Sequence, residues 1–502
     1  MSYLGLDIGT GGCKAMVFDE RGRRLAGASR EYPLSQPRAG WAELDSSLVG
    51  KACLDVIREV AGFCVATDPV RALAISSQGE AFTALDAGGR IVSDAMVSSD
   101  TRAAALAATW PRAFGPERLY EKTGHTAHPI FTLFKLLWLQ RERPDLWKKS
   151  ARFLCFEDYL HHLLGVDPAI SWSLAGRTML FNVRERRWDP EILEAAGLHA
   201  GQLARPLASG EVAGVVPSTL AADLRLASGA VVVTAGHDQV CAALGAGALG
   251  EGQAALTTGS VECVTVAFRE AVFSPILREA NLCTYAHAGP GLHATLAYNL
   301  TGGNLLRWFR DQWSRAERLD AEREGADIYA TLLRAMPSEP TNLIALPYFT
   351  ASGTPHFDSR TPGAILGLRL ETTREEVLRA LLEGLAFELR LNFSLLEQAG
   401  IAVREILAVG GGARSRDWLQ LKADVLGRPI LRPAVSEGGC LGNALLACAA
   451  ITGESPSRLL PEWSPVRETV YPNARTAARY AERAGAYSET YATLRDLAAR
   501  IF

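Results

Sequence analysis

The chain has 502 residues, with 52 Lys and Arg against 55 Asp and Glu, so its formal charge is only -3. That length exceeds what one hydrophobic core fills and calls for two large domains, with the cleft between them as the natural ligand site. With no long block of one sign, the chain lacks the electrostatic footprint of a nucleic-acid or anionic-membrane binder. Apolar runs such as Ala230 to Ala235 and Ala444 to Ile451 are too short or too interrupted to cross a bilayer, which takes about 20 apolar residues. A small soluble ligand is the expected partner, with no nucleic acid and no membrane.

Nine cysteines are scattered without paired CxxC spacing, which predicts buried thiols in a reducing, cytoplasmic setting rather than zinc or redox chemistry. The N-terminal residues from Met1 enter a strand pattern directly, without the basic and apolar stretches of a secretion signal.

Tyr3 to Ile8 and Ala15 to Phe18 predict two strands around the turn Gly9-Thr10-Gly11-Gly12, with Arg24 to Tyr32 as a third strand. In this turn Asp7 ends a strand, the backbone is bare of side chains, and Thr10 and Lys14 follow, a set suited to Mg²⁺ and phosphate. Gln78, Gly79 and Glu80 follow the strand Ala72 to Ser76, and Asp100 with Arg102 follows Ala95 to Val97. These place hydrogen-bonding groups for a substrate with several hydroxyls. Arg102 also has Asp100 within reach as an ion-pair partner. The pair His161-His162 has no partner at ligand spacing and is placed on a helix surface.

Asp238 follows the apolar strand Ala230 to Ala235 and the turn Gly236-His237, where open α/β sheets present catalytic groups. It reads as a general base, as the N-cap of the helix that follows, or as both. His237 reads as its neighbour, since no GxSxG or HExxH pattern occurs. The small-residue run Gly245 to Gly252 is a hinge or a tightly packed helix end and sets the boundary between residues 1–247 and 248–502.

The opening grammar then repeats. Gln253 to Thr257 and Val261 to Phe268 predict strands around Thr258-Gly259-Ser260, a second phosphate turn opposed to the first. The charged stretch Arg315 to Asp327 reads as a solvated helix. Amphipathic spacing predicts helices at Leu48 to Phe63, Leu133 to Arg141, Arg374 to Glu397 and Arg416 to Leu426, hence an α/β architecture. The cluster Gly410-Gly411-Gly412-Ala413 after the strand Ile406 to Val409 lets a nucleotide approach bare backbone, and it lacks the GxGxxG spacing of a dinucleotide fold.

Together these motifs resemble the FGGY family of carbohydrate kinases along nearly the whole chain. Phe131 to Leu139 is similar to the family's first signature. Gly411-Gly412 with Trp418, Gln420, Asp424 and Gly427-Arg428-Pro429 is similar to the second. The resemblance implies two ribonuclease-H-like domains of the actin/hexokinase ATPase type, sugar held mainly by the first, ATP by the second, and a homodimer as one assembly.

Carried over, Asp238 is the catalytic base and Asp7 the Mg²⁺-linked aspartate. Thr10 and Lys14 form the first phosphate loop, Gly259 and Ser260 the second, and Gly411, Gly412 and Ala413 the adenosine loop. Gln78, Gly79, Glu80, Asp100 and Asp238 line the sugar.

Ile130 to Gln140 and Ser171 to Trp188 resemble the xylulokinase branch, which implies a ketopentose such as D-xylulose phosphorylated at the 5-position. Arg177 to Asn182 also resembles the glycerol kinases. Glycerol kinases carry Arg-Glu, and xylulokinases usually Met-His, where this chain has Gly79-Glu80. Another ketose, a sugar acid, a polyol, or a non-catalytic nucleotide-dependent sugar sensor stays open.

Overall fold

The computed structural model describes residues 1–358, 360–435 and 437–501. Two sheets organise the chain. The first has six strands in the order Val212–Val215, Val231–His237, Val70–Ser77, Ser2–Ile8, Gly12–Phe18, Arg24–Glu31. Its first three strands in sequence form an antiparallel meander, and Val70–Ser77 and Val231–His237 add in parallel on the other side of Ser2–Ile8. The inner strands are buried on nearly every residue, as expected where helices cover both faces.

The second sheet repeats this plan. Gln253–Thr258, Glu262–Phe268 and His293–Asn299 form the meander, and Glu405–Val409 then Ile430–Pro433 add in parallel. Short strands at Tyr285–Ala286 and Val466–Val470 close its edges. Each half is thus a ribonuclease-H-like unit, and the chain has the two-domain α/β architecture expected from its repeated turns.

The predicted helices form with small shifts at their ends: Ser46–Cys64, Thr132–Glu142, Arg374–Gln398 and Arg416–Leu426. Local chemistry explains two of these starts. The Asp45 carboxylate accepts from the backbone N–H of Ser47 and Leu48. Thr373 and Glu376 form a reciprocal capping box at the head of the 25-residue helix. The charged stretch forms an exposed helix at Arg315–Glu324, as predicted.

One reading fails. His162 is half-buried, but His161 is fully buried, its Nδ1 accepting from the Ala169 N–H at 3.4 Å, and burial pushes its pKa down to about 3. The helix Phe156–Leu163 buries that face against the first sheet, which two adjacent histidines do not reveal. The nine cysteines are all free, and eight are buried, with Cys263 half-buried.

The last parallel strand of each sheet runs into a helix, Asp238–Ala246 in the first half and Gly438–Thr452 in the second, and these two helices pack on each other. Glycine sets how closely. A Cβ on Gly245 would stand 2.0 Å from the Gly438 carbonyl oxygen, and one on Gly442 2.2 Å from that of Cys241. The helix Gly438–Thr452 also buries its other face on the first sheet, where a Cβ on Gly5 would meet the Cys440 carbonyl oxygen at 1.9 Å. The small-residue run after Asp238 is therefore a tightly packed helix end rather than a loose hinge.

Substituting Gly245 or Gly442 by Ala should destabilise the chain by about 3 kcal/mol or more through backbone displacement. Gly485→Ala, on a helix position with open space around it, should stabilise by roughly 0.5–1 kcal/mol. Thermal and denaturant unfolding of the three variants checks both signs.

Candidate active site

The strand ends and the crossing helices bring the carboxylates of Asp7 and Asp238 into one cavity of about 570 Å³, which Gly411, Ala413 and the ion pair of Lys14 with Glu437 also help to line. Asp7 is the penultimate residue of the first strand. Its Oδ1 accepts from Ser76 Oγ at 2.6 Å, and that hydroxyl accepts in turn from Asn443 Nδ2 at 2.7 Å. A residue of the C-terminal helix thus orients a carboxylate of the first strand. Burial lifts the Asp7 pKa, while the Ser76 hydrogen bond and Lys14 oppose the rise. A Cβ on Gly439 would lie 2.9 Å from Asp7 Oδ2, so glycine there leaves that oxygen accessible.

Asp238 is the first residue of its helix, and His237 is the capping position. No side-chain cap forms, so the N-cap reading is corrected: the Asp238 carboxyl points into the cavity instead. Oδ1 has no aligned hydrogen-bond partner, and 26 % of the side chain is exposed. Removal from water, then the charges of Asp7 and Glu80, push its pKa up to about 8. His237 Nε2 lies 3.2 Å from Asp238 Oδ1, and His237 Nδ1 meets Tyr285 Oη at 3.1 Å. Burial, and then Arg177, hold the His237 imidazole neutral.

The second and third glycine turns line the cavities, and Asp7 and Lys14 on either side of the first turn line the smaller one. Thr10 Oγ1 donates to Gln78 Oε1 at 3.0 Å, and Gln78 Nε2 donates to the Gly9 carbonyl at 3.3 Å. Gln78 therefore braces the first turn, and its amide is spent there rather than on a sugar. Lys14 Nζ pairs with Glu437 at 3.0 Å. The second turn docks on a helix start, with the N–H of Gly303 donating to the Gly259 carbonyl at 2.8 Å and that of Asn304 to the Ser260 carbonyl at 3.1 Å. Gly410 has φ +86°, and a Cβ there would lie 2.6 Å from the Thr258 carbonyl oxygen, so the third turn seats directly on the second. Beneath them Lys422 Nζ, fully buried, donates to Thr258 Oγ1 at 2.8 Å and pairs with Glu262.

A second cavity of about 880 Å³ lies beyond, with Leu306, Arg307, Leu333 and Trp418 among its lining, and it shares Gly411 and Arg414 with the first.

On the other side of Asp238 lies the Gly79-Glu80 loop. A Cβ on Gly79 would meet His237 Nε2 at 3.0 Å and Arg177 Nε at 3.4 Å. Glu80 holds φ +67°, pairs through Oε1 with Arg177, and accepts at Oε2 from Ser98 Oγ at 2.7 Å. Buried Lys135 donates to the Glu80 carbonyl, and burial, opposed by Glu80 and Asp100, lowers its pKa to about 8.

Asp100 lies elsewhere. Its carboxylate binds Arg102 and the Ala42 N–H, and Arg102 stacks on Trp41 at 3.7 Å. Asp100 braces the domain, as its reading as an ion-pair partner of Arg102 anticipated, and lines none of the cavities around Asp238. Sequence reasoning missed Arg177, Lys135, Asn443, Glu437 and Gly439. Lys135 and Arg177 lie in segments of family resemblance without an assigned role, and proximity in space supplies the role of all five.

A repeated ribonuclease-H-like unit with paired carboxylates and three glycine turns around one cleft defines a phosphotransferase that acts on a small hydroxylated substrate. The models of the FGGY family of carbohydrate kinases match residues 2–245 (N-terminal domain) and 254–451 (C-terminal domain), so the chain belongs to that family. It is a sugar kinase, and FGGY kinases use ATP.

The chain is 26 % identical to a xylulose kinase of Bacillus subtilis, covering 99 % of this chain and 98 % of the relative. It is 30 % identical to an autoinducer-2 kinase of Klebsiella pneumoniae, with 89 % and 85 % covered. The crystal structure of a xylulose kinase from Rhodospirillum rubrum superposes with a TM-score of 0.88 at 26 % identity, with 99 % of this chain and all of that one covered.

Because the Asp238 pKa rises from an ordinary 3.8 to about 8, the ligand-free fold binds a proton there that the unfolded chain releases. Stability from this group falls as pH climbs between those values. Asp238→Asn, which mimics the protonated form, should raise the melting temperature by roughly 1–3 °C at pH 8.5 and by less at pH 5. Calorimetry at the two pH values tests the sign.

Proposed function

We propose that this chain moves the γ-phosphoryl group of ATP to a primary hydroxyl of a ketose, with D-xylulose to its 5-phosphate the reaction that its relatives' names support best. The observation that carries the reading is Asp238, whose carboxyl shares with Asp7 a cavity that runs to the second and third glycine turns.

Asp238 accepts the proton of the attacking hydroxyl as the oxygen engages phosphorus, which keeps the alkoxide from developing full charge. Neutral His237 at its side restrains the carboxyl without adding a charge. The adenine and ribose occupy the 880 Å³ cavity, and the phosphates pass Gly411 towards Asp7 in the smaller one. Along that path the N–H groups at Gly259 and Ser260 and at Gly411 to Ala413, with Thr10 and Lys14, hold the phosphates.

Two hard carboxylates with free oxygens in one cavity suit Mg²⁺, and among the described residues no three His, Cys, Asp or Glu side chains form a closed metal cage. Asp7 together with phosphate oxygens would hold the ion, whose charge, when bound, offsets that of the phosphates. Glu80 and Arg177 orient the sugar beside Asp238. Nine free thiols fit work in a reducing cytoplasm, and no helix among the described residues is long and apolar enough to cross a membrane.

With Mg-ATP and D-xylulose, ADP release should fall by about 10³-fold or more in Asp238→Ala. In the native chain kcat/KM should rise with pH to a plateau above about 8, as the base loses its proton. A coupled ADP assay across a panel of ketoses, sugar acids and polyols checks both. Sugar-independent ADP release alone, unchanged in the variant, would refute the assignment.

A further inference from the structure

The strand that delivers Asp238 carries an irregularity in its ladder. Val231–His237 pairs in parallel with Val70–Ser77, but Thr234 stands opposite Ile75 and Gly236 opposite Ser76, so Ala235 is the extra residue of a bulge. On its other side Ser76 stands opposite Asp7. One row across three strands, Asp7, Ser76 and Gly236, therefore sets how far Asp238 lies from Asp7. A regular ladder would put Ala235 in that row and carry Asp238 about 3.3 Å further along the strand direction.

A bulge leaves a backbone group without its ladder partner, and here the interior supplies one. Glu157, fully buried in the first turn of the helix Phe156–Leu163, accepts at Oε1 from the Ala235 N–H at 2.9 Å. Its Oε2 accepts from the N–H of Ser171 at 2.9 Å and from Ser171 Oγ at 2.8 Å. Two residues on, Ser173 Oγ accepts from the His237 N–H at 3.1 Å and lies 3.3 Å from Ser171 Oγ. Between these contacts Gly236 takes φ +151°, and a Cβ there would stand 2.3 Å from Ser173 Oγ.

A buried carboxylate is costly unless donors surround it, and three donors meet this one. Satisfying the Ala235 N–H alone would take only a neutral acceptor. The carboxylate instead ties two segments together, the bulge before Asp238 and the head of the helix Trp172–Gly176. Glu157 lies outside the lining of the cavity that holds Asp7 and Asp238, so its influence there passes through the backbone.

Resting on the kinase reading above, we propose that Glu157, with Ser173, is a positioning residue for the catalytic base: it fixes the bulge, and thereby the placement of the Asp238 carboxyl against Asp7 and the attacking hydroxyl.

The test uses two variants of the full chain. Glu157→Gln keeps the shape but turns an amide NH₂ towards one of the donors, and Ser173→Ala removes the acceptor of the His237 N–H. With Mg-ATP and D-xylulose, kcat should fall about 10–100-fold in Glu157→Gln and by a smaller factor in Ser173→Ala, while the KM for ATP stays within about two-fold. The plateau of kcat/KM should begin near pH 7 instead of about 8, because a released Asp238 escapes the burial, and then the charges of Asp7 and Glu80, that hold its pKa up. A melting comparison needs no turnover. Asp238→Asn should raise the melting temperature at pH 8.5 by about half as much or less when combined with either variant as it does in the native chain.

A purely structural role would lower the melting temperature and the yield of active protein but leave the pH profile and the Asp238→Asn increment unchanged. That result would overturn the proposal, as would native kcat in Glu157→Gln, or in Ser173→Ala should Glu157→Gln fail to fold. Absence of sugar-dependent turnover in the native chain would overturn the kinase reading instead, and the melting increments would still decide the positioning role.

Discussion

The close crossing of two helices at the base of the cleft is the contact on which the site depends. Asp238–Ala246 and Gly438–Thr452 approach until backbone meets backbone, which only glycine at 245 and 442 permits. Because each helix continues the last parallel strand of its own sheet, the crossing fixes the two sheets relative to each other and sets both helix starts beside Asp7. A wider crossing would carry Asn443 away from Ser76, and the chain of hydrogen bonds that orients the Asp7 carboxylate would open.

Buried charge pairs then hold the loops that this frame positions. Glu262 and Lys422 lie under the second turn, and Glu80 with Arg177 lies under the sugar loop. Such pairs add little net stability against their desolvation, but removing one partner leaves a charge stranded in the interior. They serve as positional constraints. Glu80 at positive φ, braced by Ser98, Thr132 and Lys135, shows how many neighbours over-determine one strained residue.

The repeat of the strand and turn grammar, the strong 3.6-residue periodicity of the long helices and the position of Asp238 after an apolar strand were legible because each is local. Errors arose where a residue's role depends on what folds against it. Gln78 and Asp100 sit at strand ends just as substrate ligands do, yet their polar groups are consumed by Thr10 and Gly9 in one case and by Arg102 and Ala42 in the other. His161 looks like a surface histidine until the helix that carries it is buried. Asn443 has no local signal, and the segment that carries Arg177 gave a family resemblance but not its pairing with Glu80, since the partners are about 370 and 100 residues away in the chain.

The amino-acid sequence by itself determined the two-unit α/β plan, the three glycine turns and the family, since these rest on short-range patterns and on spacing along one segment. The tertiary structure alone decided which carboxyls stay free and which are tied up, how closely the halves meet, and where polar groups are left facing a cavity. Those properties follow from packing between distant segments, where a single Cβ or one buried partner changes the outcome.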